Sequence, residues 1–235
     1  MGLSETIKEK LQHYYSENGI IPDERFACKM LDMCSGGNLE RGMQCHIGCQ
    51  YGEKMRIMVA AMDCGNGNTD VIEGRTSTLV KQASEKKLNP HMKGTYQALS
   101  YFLDDNDPAH LVNYMVMTNT CKCCYKDSIN HLPFDYYWNC KDHTLAEISI
   151  ITPEVILFQS QLSYVGCRDY MKPIAEIKDE DVKNNLRIFS KDGFKCYAVT
   201  CIHPSARGRS IRKRIDFYNI ILPKIAEYIK CNRLI

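Results

Sequence analysis

The chain has 235 residues, 44% of them hydrophobic and 25% charged, with a net charge of +2. That composition excludes a disordered or collagen-like chain and leaves room for one sizeable α/β domain. The charge is too small to mark nucleic-acid binding by itself, so any basic chemistry must come from local clusters.

The N-terminus, "MGLSETIKEKLQHYYSENG", lacks the apolar core of a secretory signal, and no run of eighteen apolar residues follows. A cytoplasmic, monomeric protein with no membrane partner is expected. Gly2, followed by Glu5 and Thr6, also fits a loose acylation pattern. Residues 1–54 read as a helical, cysteine-bearing segment packed on the rest of a single domain covering 1–235. Thirteen cysteines are many for such a chain. Without a secretory route they favour metal or cluster ligation over disulfides. Any one of them, taken alone, reads equally as a small buried hydrophobe.

Four runs read as strands: "MRIMVAAMD" (55–63), "HLVNYMVMTN" (110–119), "PEVILFQS" (153–160) and "KCYAVTCIH" (195–203). They are apolar at most positions instead of alternating, as parallel strands covered on both faces are. Between them, "HMKGTYQALSYFLDD" sets Tyr96, Leu99, Tyr101, Phe102 and Leu103 on a broad helical face, and "NCKDHTLAEISII" sets Leu145, Ile148 and Ile151 in register. After the last strand, Ile211, Ile215, Tyr218 and Leu222 recur at helical spacing, with Pro223 set to bend or restart the helix. Strand–helix alternation predicts a parallel sheet between helical layers, with ligands at the carboxyl ends of the strands. Those ends carry Asp63, Asn119, Gln159 and His203.

Taken with their order, these segments resemble the uracil-DNA glycosylase superfamily, most of all its iron–sulfur branch. "AMDCG" (61–65) takes the place of the first motif, "HPSARGR" (203–209) that of the second, and "TNTCKC" is similar to the branch's Asn-x-x-Lys-Cys segment. "NCKDHTLAEISIITPEVILF" is similar to its Cys, helix, Pro-x-Val-Ile stretch. The resemblance implies a three-layer α/β/α fold with a central four-stranded parallel sheet. It implies a monofunctional DNA glycosylase, with Asp63 orienting water and favouring a cationic sugar, and His203 donating to the departing base. Asn119, Gly65 and Cys64 would line the base pocket, and Ser205, Arg207 and Arg209 would grip phosphates. Asp63 as a helix cap, and His203 and Asn119 as turn residues, are the structural alternatives. Arg212, Lys213 and Arg214 read as a solvated helix face or as phosphate contacts.

The branch also implies a [4Fe–4S] cluster, structural in role. Cys123 and Cys140 match two of its ligands, and Cys45 and Cys49 are taken for the upstream pair, with Cys28 and Cys34 as competitors. Zinc on the same thiolates is the alternative. Cys64 stands where the motif usually has proline, and Gly65 where the classical uracil enzymes carry a bulky tyrosine. The pocket is therefore expected to admit uracil or a bulkier modified pyrimidine, such as a modified cytosine of phage DNA. A non-catalytic nucleic-acid-binding iron–sulfur or zinc module is the rival function.

Overall fold

The computed structural model describes residues 2–34, 39–63, 69–125 and 132–234. The chain opens with α1 (Leu3–Glu17), short strands β1 (Leu39–Arg41) and β2 (His46–Ile47), and then β3 (Ile57–Ala61). Helices α2 (Ile72–Ser84), α3 (Pro90–Leu103) and α4 (Pro108–Leu111) lead to β4 (Met115–Asn119) and β5 (Cys123–Tyr125). Next come α5 (Phe134–Asn139), α6 (Lys141–Ile151), β6 (Val155–Phe158), a 3-10 segment Leu162–Tyr170, and β7 (Met171–Pro173). The chain closes with α7 (Glu180–Asn185), β8 (Leu186–Lys191), β9 (Phe194–Thr200), α8 (Ile211–Asp216) and α9 (Leu222–Cys231).

The main sheet runs β2-β4-β3-β6-β9-β8-β7. Neighbours β4, β3, β6 and β9 pair in parallel, while β2, β8 and β7 pair antiparallel at the two edges. The sheet is thus mixed and seven-stranded: the four strands read from the sequence pair in parallel at its centre, and three further strands extend it antiparallel at the edges. The added edge arises from a hairpin: Asp192 and Gly193 both have positive φ (50° and 81°), which a two-residue turn between right-twisted strands requires.

β3, β4 and β6 are buried along their length and β9 from Cys196 to Val199, so most side chains on both faces are apolar. Met58, Ala60, Val116, Ile156, Phe158 and Ala198 join Ile7, Leu11 and Tyr15 of α1 and Leu145, Ile148 and Ile151 of α6 in one core. Ile57, Val59, Met117, Leu157 and Val199 join Met92, Leu99 and Phe102 of α3 and Leu222, Ile225 and Ile229 of α9 in the other. The two-residue period of the strands sorts the side chains to opposite helical layers. Each such burial stabilises by about 2 kcal/mol.

Two helices bear on the site. α3 begins where Asn89 accepts from the Met92 N–H at 2.8 Å with Pro90 in the first turn, which fixes its start next to the strand ends. The C-terminal helix runs through a π turn (Phe217–Ile221) just before Pro223, whose missing N–H the widened turn accommodates. Tyr218 and Leu222 are buried as expected, but Ile211 and Ile215 stay exposed, because α8 sits beside the loop after β9 and not over the sheet. No helix among the described residues is long and apolar enough to cross a membrane.

Candidate active site and thiol cluster

Main-chain bonds continue past the strands: Thr120 N–H to Ala61 O at 2.9 Å, Gln159 N–H to Ala60 O at 3.0 Å, and Cys201 N–H to Phe158 O at 2.7 Å. They carry Asn119, Asp63, Gln159 and His203 to the same edge of the parallel sheet, the edge at which such sheets bind ligands.

Asp63 faces α5. Its Oδ2 accepts from the Tyr137 hydroxyl at 2.7 Å and from the Leu132 N–H at 3.2 Å. The Tyr137 hydroxyl is buried, and burial followed by the neighbouring carboxylate pushes its ionisation well above the ordinary range. It therefore stays a donor. Asn119 is buried, and its Oδ1 accepts from Arg75 Nη2 of α2 at 2.5 Å, while Arg75 Nη1 binds the Gln44 carbonyl at 2.5 Å.

His203 has its Nδ1 3.3 Å from the Ser205 N–H and 3.1 Å from Ser205 Oγ. A main-chain N–H donates, so Nδ1 accepts and the neutral ring carries its proton on Nε2. The His203 ring stacks on His91 of α3, with centroids 5.2 Å apart and planes 17° from parallel. His91 Nε2 lies 2.7 Å from Gln159 Oε1, and Gln159 Nε2 donates to Thr95 Oγ1 at 2.8 Å. Thr95 in turn donates to the His91 carbonyl at 3.0 Å. That closed loop leaves Gln159 Oε1 as acceptor and His91 Nε2 as donor, holding the ring on which His203 rests. Pro204 packs on Gly94 of α3 so closely that an added Cβ would lie 2.7 Å from the Pro204 Cβ.

Of the residues expected to grip phosphate, Ser205 points its hydroxyl at His203, and Arg207 and Arg209 are exposed. Arg214 is half-buried and turns back to the Pro204 carbonyl at 3.4 Å, so it braces the loop instead of forming a solvated face. Cys64 and Gly65 lie outside the described residues.

The cysteines do not group as expected. Cys49 is exposed at the opposite, amino-terminal end of β4, its thiol 3.4 Å from Asn113 Oδ1. Cys45 is buried beside Tyr15, Glu147, Arg75 and Lys122, and burial pushes its thiol up to about 12. Neither joins Cys123 and Cys140. The sites next to those two belong to Cys28 and Cys34. Cys28 Sγ is 3.2 Å from His143 Nε2, one turn beyond Cys140, and accepts from the Met30 N–H at 3.5 Å. Cys34 Sγ accepts from Asn139 Nδ2 at 3.3 Å. Burial raises the Cys28, Cys34 and Cys123 thiols, and each is raised further by the others or by Cys140. Cys140 runs the other way: the Cys121 thiol at 4.0 Å and the Lys122 N–H at 3.5 Å favour its thiolate. The four thiols form an open set. Among the described residues no three His, Cys, Asp or Glu side chains group around one point as a single metal ion would require.

Comparison with known proteins brings no match, either to a family model or to a curated protein.

Between the thiols and the crevice lies a fully buried ion pair, Lys122 Nζ to Glu147 Oε1 at 2.6 Å. Tyr15 of α1 also donates to Glu147 Oε1, Thr118 donates to Oε2 at 2.8 Å, and Lys122 reaches the Asn119 carbonyl at 2.7 Å. Burying two charges is tolerable when their remaining donors and acceptors are filled, as here. Tyr137, Arg75 and His91 sit on helices where helical periodicity gave no signal that would single them out, and in the "NCKDHTLAEISII" stretch that periodicity marked the apolar Leu145, Ile148 and Ile151 but not Glu147.

Proposed function

We propose that the chain is a monofunctional DNA glycosylase that flips a pyrimidine out of DNA and hydrolyses its N-glycosidic bond to leave an abasic site. The observation that carries the reading is one sheet edge bearing a carboxylate gripped by Tyr137, an amide clamped by Arg75 and a neutral histidine with its proton on Nε2. These are the groups that N-glycosidic hydrolysis needs. Asp63 orients a water and favours positive charge on the sugar as the bond to the base breaks. The electron pair leaves with the base, and His203 donates a hydrogen bond from Nε2 to its carbonyl oxygen, lowering the charge that develops there. The water's oxygen joins the sugar carbon and its proton is released. Asn119 reads the polar edge of the extruded base, and Ser205, Arg207 and Arg209 hold the flanking phosphates.

The thiols Cys28, Cys34, Cys123 and Cys140 would hold a [4Fe–4S] cluster. Four buried sulfurs, three of them accepting N–H bonds and one favoured as thiolate, suit it chemically. Zinc on the same four thiolates is the alternative. The cluster supplies a structural tie and no step of base excision.

The test is incubation with oligonucleotides carrying single modified pyrimidines, and with natural phage DNAs, followed by mass analysis of released bases. Release of one base, lost in Asp63→Asn and His203→Ala, is expected. If wild-type protein frees no base from any of them, the glycosylase reading falls and a binding module takes its place.

A further inference from the structure

A second concavity of about 400 Å³ opens between α5 and the Leu162–Tyr170 segment, lined by Phe134, Trp138, Tyr164, Val165, Arg168 and Asp169 among others. Phe134 and Trp138 stand four residues apart on α5, so they share one face, and both are exposed (54% and 41%). Large exposed aromatic rings on a helix this short contribute nothing to the core. They mark a contact surface. Its charged lining is one cation and one anion, Arg168 and Asp169, and a second cation stands next to it: Lys141 Nζ lies 4.2 Å from the Trp138 ring centroid.

Both walls continue from the crevice. α5 presents Tyr137 to Asp63 on its other face. The second wall begins at Gln161, two residues beyond Gln159, which holds His91. A strand whose target base enters the crevice would have to lead its neighbouring nucleotide past this opening.

We infer that the Phe134–Trp138–Arg168 pocket is a second nucleotide site, which stacks a base flanking the excised one and takes its phosphate on Arg168 and Lys141. Aromatic rings with adjacent cations bind single-stranded nucleic acid in this way, the rings taking the base faces and the cations the backbone. The direction of the strand rests on the glycosylase reading; occupation of the pocket by a nucleotide does not.

Trp138 is the one tryptophan in the sequence, so its fluorescence reports on this pocket alone. Short single-stranded oligonucleotides are titrated into the full-length protein while Trp emission and, separately, anisotropy of a labelled strand are followed. Stacking quenches the emission as the strand binds. Trp138→Leu is expected to weaken binding about 5- to 150-fold, the range for one stacked base. Arg168→Glu, which leaves the fluorophore in place, should abolish the quench at the same DNA concentration. Circular dichroism confirms that both variants are folded. Quenching without base release upholds the pocket and sinks the glycosylase reading. Base release and binding with unchanged Trp emission overturn the pocket alone. Failure of any oligonucleotide to bind overturns it as well.

Discussion

Arg75 of α2 donates to Oδ1 of Asn119 at 2.5 Å, and both residues are buried. A guanidinium only donates, so the atom facing it must be the amide oxygen, and the orientation of the Asn119 amide is set without ambiguity. Arg75 thereby positions the group proposed to read the base. Arg75→Met is expected to lower kcat/KM by about 10- to 100-fold, the worth of one charge-assisted bond, with thermal stability falling by about 1–3 kcal/mol. The check is single-turnover base release alongside a urea melt. Unchanged kinetics with lost stability would leave Arg75 a merely structural residue.

Tyr137 bears on Asp63 in the same way, from α5. Tyr137→Phe keeps the buried ring and removes one donor to the carboxylate. Base release should slow by about tenfold with DNA affinity unchanged, since the lost bond orients a group that acts in the transition state. A gel-shift assay with the same strands separates the two effects.

Gly94 makes a sharper test of the His203 loop. Glycine to alanine within a helix ordinarily stabilises by roughly 0.5–1 kcal/mol. Here the added methyl would meet Pro204 at 2.7 Å, and proline cannot swing aside. Gly94→Ala should therefore destabilise, by about 1–3 kcal/mol as overpacking does, and displace His203 from His91. A melting temperature that rises, with base release intact, would refute the close approach.

The thiol assignment separates cleanly. Alanine at Cys28, Cys34, Cys123 or Cys140 should strip iron and sulfide from the purified protein. Cys49→Ala should retain both in full, because its thiol lies at the other end of β4. Iron and acid-labile sulfide analysis decides, and would also reveal zinc in their place.

His46 sets a pH dependence. It is buried, Nε2 2.9 Å from the Val112 carbonyl and Nδ1 3.2 Å from Thr76, and burial lowers its pKa from 6.5 to about 4. Above pH 6.5 the ring is neutral folded or unfolded, and its contribution is complete. Between about 6.5 and 4 the unfolded chain takes the proton and the folded chain does not, so stability falls as pH falls, by about 3 kcal/mol in all. His143, lowered to about 4 chiefly by burial, adds to the same slope. Urea midpoints from pH 7 to 4.5 should show the decline, and His46→Gln should make it shallower without abolishing it.

The strands were legible because double-sided burial writes itself as continuous apolar runs, although all four proved shorter than their runs. In "HLVNYMVMTN" the first five residues belong to α4 and a 3-10 turn, and the strand starts at Met115. The antiparallel edge was missed even though Lys-Asp-Gly-Phe carries a hairpin signal, because β8 buries only Leu186 and Phe189, three residues apart, and so shows neither a continuous apolar run nor a two-residue alternation. Asp63, Asn119 and His203 could be located from strand ends, since topology fixes where those lie. Their partners could not: Arg75, Tyr137 and His91 reach the crevice from helices whose rotation about their axes is decided by packing. The upstream thiols failed for a related reason. Cys45 and Cys49 were taken for the pair although three residues separate them where the branch has two, and β2 carries Cys49 away from the crevice while Cys28 and Cys34 fold over Cys140.

α5 spans six residues, from Phe134 to Asn139. A helix of that length has no stability of its own in water. Its hydroxyl anchors the carboxylate of Asp63, its outer rings form the second concavity, and the residue that ends it is Cys140. The thiols are thus a fastening at the far end of a lever whose near end is the crevice. On the proposed cluster reading, loading the thiols would steady Tyr137, and with it Asp63, through the single turn that joins Tyr137 to Cys140.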